Sequence, residues 1–280
     1  MSTIELEQAG NLETEVSFEK KIPVKKRGTD LPIYIFLGAS ALFCVVAFIA
    51  LDLDWGKVIE RIPKLGEVAA DMLTFSGEKF NLTVTTMLET IATTILAIIY
   101  GLIIGLIVGA LGAKNVAPWK PLASFIQCVL TFVRAVPTTV WALLILACMG
   151  FGMAAGIVGL LFHTVAFFGK VFAQTFEEVP EETIEALKAA GANRIQIFFG
   201  AVLPASLTGL IAWSALRFEI TFGEAAILGM VGAGGIGYTI MAAVNGYQLG
   251  RAGLAVVIVF VFAYLIEVGT TTIKEKMKVI

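Results

Sequence analysis

The chain is poor in the residues from which most catalytic and metal sites are built. It has one histidine, His163, in 280 residues. That excludes a His-rich metal cluster, and no Ser–His–Asp arrangement can be argued from it. Its three cysteines, Cys44, Cys128 and Cys148, lie in apolar runs without CxxC spacing or a nearby histidine, which supports neither a disulfide framework nor a zinc site. No GxxxxGK[ST] stretch is present, so the chain does not bind ATP through a P-loop. Charged residues make up 15% of the chain, with a net charge of −2 and no dense basic surface for nucleic acid.

What the chain has in excess is apolar sequence. Hydrophobic residues make up 58% of it, against about 45–50% in soluble domains. The apolar runs place spans at about 33–51, 84–111, 122–149, 154–176, 205–231 and 252–273, each long enough for a hydrocarbon core of ~30 Å. Residues 1–32 read as a polar cytoplasmic tail ending in the basic flank Lys20, Lys21, Lys25, Lys26 and Arg27, and 274–280 as a basic cytoplasmic terminus. Basic clusters at 20–27, 114–120, 170–194 and 274–278 then all fall on one side, as the positive-inside rule requires. The fold class is all-α, a polytopic membrane protein of about six transmembrane helices. Loop 52–82 is too polar to span; its apolar residues recur at helical spacing, which suits a segment lying along the outer surface, and Trp55 suits an interfacial anchor.

Three features stand out within this frame. Gly101, Gly105 and Gly109 form a GxxxGxxxG ladder, a spacing that lets two helix backbones approach closely. Residues 232–237, GAGGIG, match GxGxxG, but they follow a membrane span and no acidic residue occurs between Glu224 and Glu267. A dinucleotide site is therefore rejected, and the glycines instead permit a tight bend at the outer membrane face. Arg134, Arg217, Glu219 and Glu224 fall inside spans, where a charge at the bilayer centre costs at least ~2.5–3.5 kcal/mol. Such residues face protein or water. Glu224 lies seven residues beyond Arg217, on nearly the same helix face, so the two either line an aqueous path or pair with Arg134; structural ion pairing between helices is the competing account. His163 joins this candidate translocation set, with a hydrogen-bonded packing role as its alternative.

Between the fourth and fifth spans lies a charged, helix-forming island, EEVPEETIEALKAAGANRIQIFFGAVLP, residues 177–204. Pro180 suits a first helical position, Glu181 and Glu182 complement the positive helix end, and Ile184 and Leu187 share one face. Gly191 is a natural helix stop and Asn193 an N-cap, after which Ile195, Ile197, Phe198 and Phe199 open a second, more apolar helix. The spacing thus predicts a helix–turn–helix held outside the bilayer.

This island resembles the EAA loop of ABC-importer permeases, whose pattern is EAA, three residues, Gly, nine residues, Ile, one residue, Leu-Pro. Glu185, Ala186, Gly191, Leu203 and Pro204 match, while Leu187 and Ala201 depart from it, apolar for apolar. FVRAVPTTVWALL (132–144), LLFHTVAFFGKVFAQTFEEVP (160–180), LRFE (216–219) and AAILGMVGAGGIG (225–237) are similar to stretches of phosphonate-importer permeases, so that the resemblance covers roughly 84–273. It implies the type I ABC importer permease fold in a bacterial inner membrane. It also implies a homodimer, a cytoplasmic ATPase dimer and an external substrate-binding protein. ATP and magnesium would be held by the ATPase, with no cofactor and no enzymatic activity in this chain. Glu185, Ala186, Leu187, Gly191, Ala192 and Arg194 would couple to the ATPase, and the solute would be a phosphonate or a related oxyanion such as phosphite. An ion-coupled secondary transporter or channel using Glu219 and Glu224, or an ABC permease for another small solute such as methionine, are the alternatives.

Overall fold

The computed structural model describes residues 31–51 and 54–278. The expected tail 1–30, with its basic cluster, lies outside the described residues. The chain divides after Pro63 into two units.

The first unit contains α1 (Leu31–Ala50) and the start of α2 (Trp55–Met72). α1 has no buried residue and is apolar throughout, as a helix facing lipid should be. Asp54 opens α2: its carboxylate accepts the Lys57 backbone N–H at 3.2 Å and pairs with Lys57 Nζ at 2.9 Å. These bonds, the side-chain one first, hold the Asp54 carboxyl below the usual carboxylate range. Trp55 stacks on Phe48 at 5.3 Å between ring centroids. Apolar Val58, Ile62, Leu65 and Val68 alternate with Lys57, Glu60, Arg61, Lys64 and Glu67 at helical spacing, so the expected surface segment is one amphipathic helix.

The second unit is built on α3 (Phe80–Gly112) and α6 (Met153–Glu177), its most extensively packed helix pair. α3 has 33 residues, about 50 Å at 1.5 Å per residue, and exceeds the hydrocarbon thickness. The glycine ladder explains why this pair is so close. A Cβ built on Gly101 would meet Thr164, one on Gly105 would overlap Phe168, and one on Gly109 would come within 2.9 Å of Phe172. Three glycines at four-residue spacing on one helix therefore receive three side chains at four-residue spacing on the other. Lipid tails are as apolar as side chains, so close van der Waals contact of this kind, rather than expulsion from water, holds helices together in a bilayer. Phe168, Phe172 and Phe176 are fully buried here, with Val202 and Leu210 in the same cluster.

The expected third span is broken. α4 (Lys120–Ala135) and α5 (Thr138–Met149) meet at an angle of 87°. Pro137 has no N–H to donate and its ring obstructs the carbonyl four residues back, so the helix ends before it and restarts after it. Among the described residues, five helices are long and apolar enough to cross a membrane, or six when the bent pair counts as one span.

α7 (Glu181–Ala189) and the four-residue α8 (Arg194–Ile197) follow, then a π turn, Phe198–Val202, and α9 (Leu203–Leu228). The expected second helix of the island is thus the lead-in of the next span rather than a separate element. The wider π turn sets the chain up for Pro204, which cannot continue an ordinary ladder. A further π turn, Gly229–Ala233, ends α9, and α10 (Gly235–Asn245) precedes α11 (Leu249–Lys278). The glycine-rich stretch makes the bend expected of it: Gly232, Gly234 and Gly235 have φ of 114°, 84° and 70°. It also contains an unforeseen helix, since α10 has 11 residues, about 16 Å, too short to cross.

Candidate functional site

Two sites emerge. The first is the island itself. Ile184 is buried and Leu187 half-buried against the α3–α6 core, while Glu181, Glu182, Glu185, Ala186 and Lys188 are exposed. α7 therefore turns one face to the membrane domain and leaves the opposite face open. Pro180 sits at the N-cap, one residue before the expected position, and Glu181 and Glu182 occupy the first turn. Gly191 ends the helix with φ +85°, a left-handed conformation that glycine adopts without cost from a Cβ. Asn193 caps α8 in a reciprocal box: Gln196 N–H donates to Asn193 Oδ1 at 2.9 Å, and Asn193 N–H donates to Gln196 Oε1 at 2.7 Å.

The island is also stapled to the α3–α4 connection, which holds the basic cluster at 114–120. Arg194 Nη1 donates to the carbonyls of Ala117 at 3.0 Å and Pro118 at 2.5 Å. Lys114 N–H donates to Glu177 Oε1 at 2.7 Å, and Asn115 Nδ2 to the Phe176 carbonyl at 2.7 Å. Arg194 thus braces the loop from within, whereas Glu185 and Ala186 remain open. Ala192 is half-buried against the same core.

The second site lies where the third span breaks. Arg217 on α9 is 2% exposed. Its Nη2 donates to Glu224 Oε2 at 2.7 Å and to Thr164 Oγ1 at 3.2 Å, and its Nη1 to Glu224 Oε1 at 3.4 Å. Glu224 also accepts from Thr138 Oγ1 at 3.1 Å, at the first residue of α5. One carboxylate thereby joins α9 to the restart of the broken span. Arg134, in the last turn of α4, is exposed; its guanidinium carbon lies 5.4 Å from the centroid of the Phe167 ring, and that of Arg217 lies 5.3 Å from the same ring. Both cations thus lie against one buried aromatic ring.

Glu224 does not pair with Arg134, as one expectation had it, but with Arg217 two turns away on its own helix, a pairing that neither expectation included. Arg134 makes no ion pair among the described residues. Glu219 is half-buried, without an ion pair among the described residues. His163 is half-buried beside Thr164, and among the described residues its Nδ1 has no hydrogen-bond partner, as is also true of Arg217 Nε and Thr221 Oγ1. Thr138, Thr164 and Phe167 were not legible as site residues. The one available signal was position: Thr138 follows the helix-breaking proline, and Thr164 stands where the first ladder glycine must be met.

The family model described as "Binding-protein-dependent transport system inner membrane component" matches residues 101–274. The chain belongs to this family. That span contains both sites, the glycine ladder and the bend at 232–237. The chain is similar to the phosphite transport system permease protein PtxC of Stutzerimonas stutzeri, with 26% identity over 90% of this chain and 93% of that protein. It is also similar to the phosphate-import permease protein PhnE of Mycolicibacterium smegmatis, with 32% identity over 80% of this chain but 42% of the longer relative. Among solved structures, a chain of the MetNI methionine ABC transporter in inward-facing conformations superposes with a TM-score of 0.64 and 25% identity, over 72% of this chain and 99% of that one. The binding-protein-dependent permease is therefore a multi-pass membrane protein with the type I ABC importer fold expected from its loop.

Proposed function

We propose that this binding-protein-dependent permease is the membrane subunit of an ATP-driven importer for a phosphonate or a related oxyanion such as phosphite. It works as a homodimer, with its termini and the 177–204 loop in the cytoplasm. The observation that carries the transport reading is the two-faced α7: Ile184 and Leu187 anchor it to the core while Glu185 and Ala186 stay open. A cytoplasmic ATPase pair, which holds ATP and magnesium, docks on that open face. Closure of the ATPase dimer pulls α7, and the fixed contacts of Arg194, Lys114 and Asn115 transmit the pull to the ends of α3, α4 and α6. The spans then exchange an inward-open for an outward-open cavity, and an external binding protein delivers the solute.

For the solute itself, Arg134 and Arg217 have different tasks. Arg217 is already neutralised by Glu224, so it ties α9 to α6 through Thr164 while Glu224 joins α9 to α5 through Thr138. Arg134, exposed against the Phe167 ring, supplies the positive charge met by a passing oxyanion. His163 and Glu219 flank this route. The names of the relatives, phosphite and phosphate transport permeases, agree with an anionic cargo. The test is ATP-dependent uptake of radiolabelled 2-aminoethylphosphonate into proteoliposomes carrying the permease, its ATPase and its binding protein. Phosphite, phosphate and methionine serve as competitors. Uptake that needs both partners and is blocked by phosphite is the expected result; uptake driven by a proton gradient without ATP would overturn the reading, and competition by methionine alone would remove the oxyanion.

A further inference from the structure

A cavity of about 230 Å³ opens between the α3–α4 connection, the start of α4 and the 177–204 loop. Ile184, Ile197 and Val116 contribute apolar wall, and the charged residues that line it are Lys114, Lys120, Lys188 and Arg194, with no carboxylate among them. Glu177, at the end of α6, is engaged elsewhere: its Oε1 accepts the Lys114 backbone N–H. None of the three lysines forms an ion pair among the described residues. Arg194 Nη1 is fixed by two carbonyls, which holds the guanidinium plane and leaves its remaining N–H groups free to fork onto an anion. α4, a 16-residue helix, begins at Lys120, so its first-turn amides add partial positive charge at the rim.

Four solvent-exposed cations around one open-mouthed cavity repel each other across it, a repulsion that an anion seated among them would relieve. The volume is several times that of a water molecule (~30 Å³), room for a tetrahedral oxyanion and a few waters. We propose that this cavity binds a phosphate-type oxyanion, which bridges Lys114 and Lys120 on the α3–α4 side to Lys188 and Arg194 on the loop side. The ion comes either free from solution or as the headgroup of an anionic phospholipid; Trp119, exposed at the mouth, suits an interface with lipid. A bound ion adds a second brace beside the Arg194–carbonyl bonds and stiffens α7 against the connection. That stiffening bears on transport only if α7 is the coupling element proposed above; the binding itself does not depend on it.

The experiment uses the purified full-length permease in nanodiscs, without ATPase or cargo, so that failure of the transport reading leaves the result interpretable. Inorganic phosphate binding is measured by equilibrium dialysis in phosphatidylcholine discs and in discs containing phosphatidylglycerol, with retained lipid read by native mass spectrometry. Hydrogen exchange of 181–194 is followed in parallel. Saturable phosphate binding that weakens at least tenfold in Lys114→Ala/Lys188→Ala, survives in Lys114→Arg/Lys188→Arg and slows exchange in α7 supports a free-ion site. Phosphatidylglycerol that is retained by the parent, lost from the alanine variant and excludes added phosphate supports the headgroup source. Neither phosphate binding nor retained anionic lipid in either disc, or binding undiminished in the alanine variant, overturns the proposal.

Discussion

The Arg217–Glu224 pair makes an asymmetric prediction. Arg217 is 2% exposed and the Glu224 side chain 21% exposed. Arginine cannot deprotonate in a protein, so Glu224→Met leaves a buried guanidinium with only Thr164 as a hydrogen-bond partner and the Phe167 face beside it. Removing one partner of a buried ion pair costs about 3–5 kcal/mol, and this variant should fall in that range. Arg217→Met leaves a carboxylate that still accepts from Thr138 and is part-exposed. Its cost should be smaller, about 1–2 kcal/mol, on the scale of an unsatisfied polar group. The double replacement by methionine removes both charges together and should lie closer to the parent than Glu224→Met does, because a well-packed apolar pair often matches a buried ion pair in stability. The free energies are read from reversible unfolding of the purified permease in mixed micelles titrated with SDS, as a double-mutant cycle. Additive single-mutant costs, or Arg217→Met costing more than Glu224→Met, would refute the reasoning.

Other perturbations separate packing, coupling and path. Gly105→Leu drives a side chain into Phe168, whereas a Cβ built on Gly269 meets nothing within 4 Å among the described residues; Gly105→Leu should abolish the folded permease and Gly269→Leu leave its yield in membranes near that of the parent. Gly191→Val should cost at least about 1–2 kcal/mol for the left-handed backbone, although a Cβ there meets open space; insertion should persist and ATP-driven uptake should fall sharply, and unchanged uptake would remove Gly191 from the coupling element. Arg134→Ala should lower oxyanion uptake at least tenfold with assembly intact, and Arg134→Lys should restore part of it. Equal uptake by all three proteins would exclude Arg134 from the path.

Much of this architecture is local and therefore legible in the chain. The spans follow from apolar length, because hydrocarbon offers no partner to a polar backbone and a helix must satisfy its own bonds. The 177–204 loop was readable for the same reason: Gly191 at φ +85° and the Asn193–Gln196 box are neighbour effects set by residues a few positions apart. The break after Ala135 could have been foreseen at Pro137, but a continuous apolar run hid it, since hydropathy records composition and not the direction of the chain.

The ladder glycines announced a close helix contact without naming the partner. Only packing decided that α6 supplies Thr164, Phe168 and Phe172 to meet them, and the same packing places Thr164 against Arg217. The charges show the same division. Spacing alone put Arg217 and Glu224 on one face, which is a property of a single helix. That they pair with each other, that Thr138 joins them and that Arg134 stays exposed across the Phe167 ring depend on where three other segments come to rest. Helix periodicity, capping and hydropathy act over a few residues and are written in the sequence. Which side chain neutralises which charge is settled by contacts between residues as far apart as Thr138 and Glu224, and only the assembled bundle fixes those.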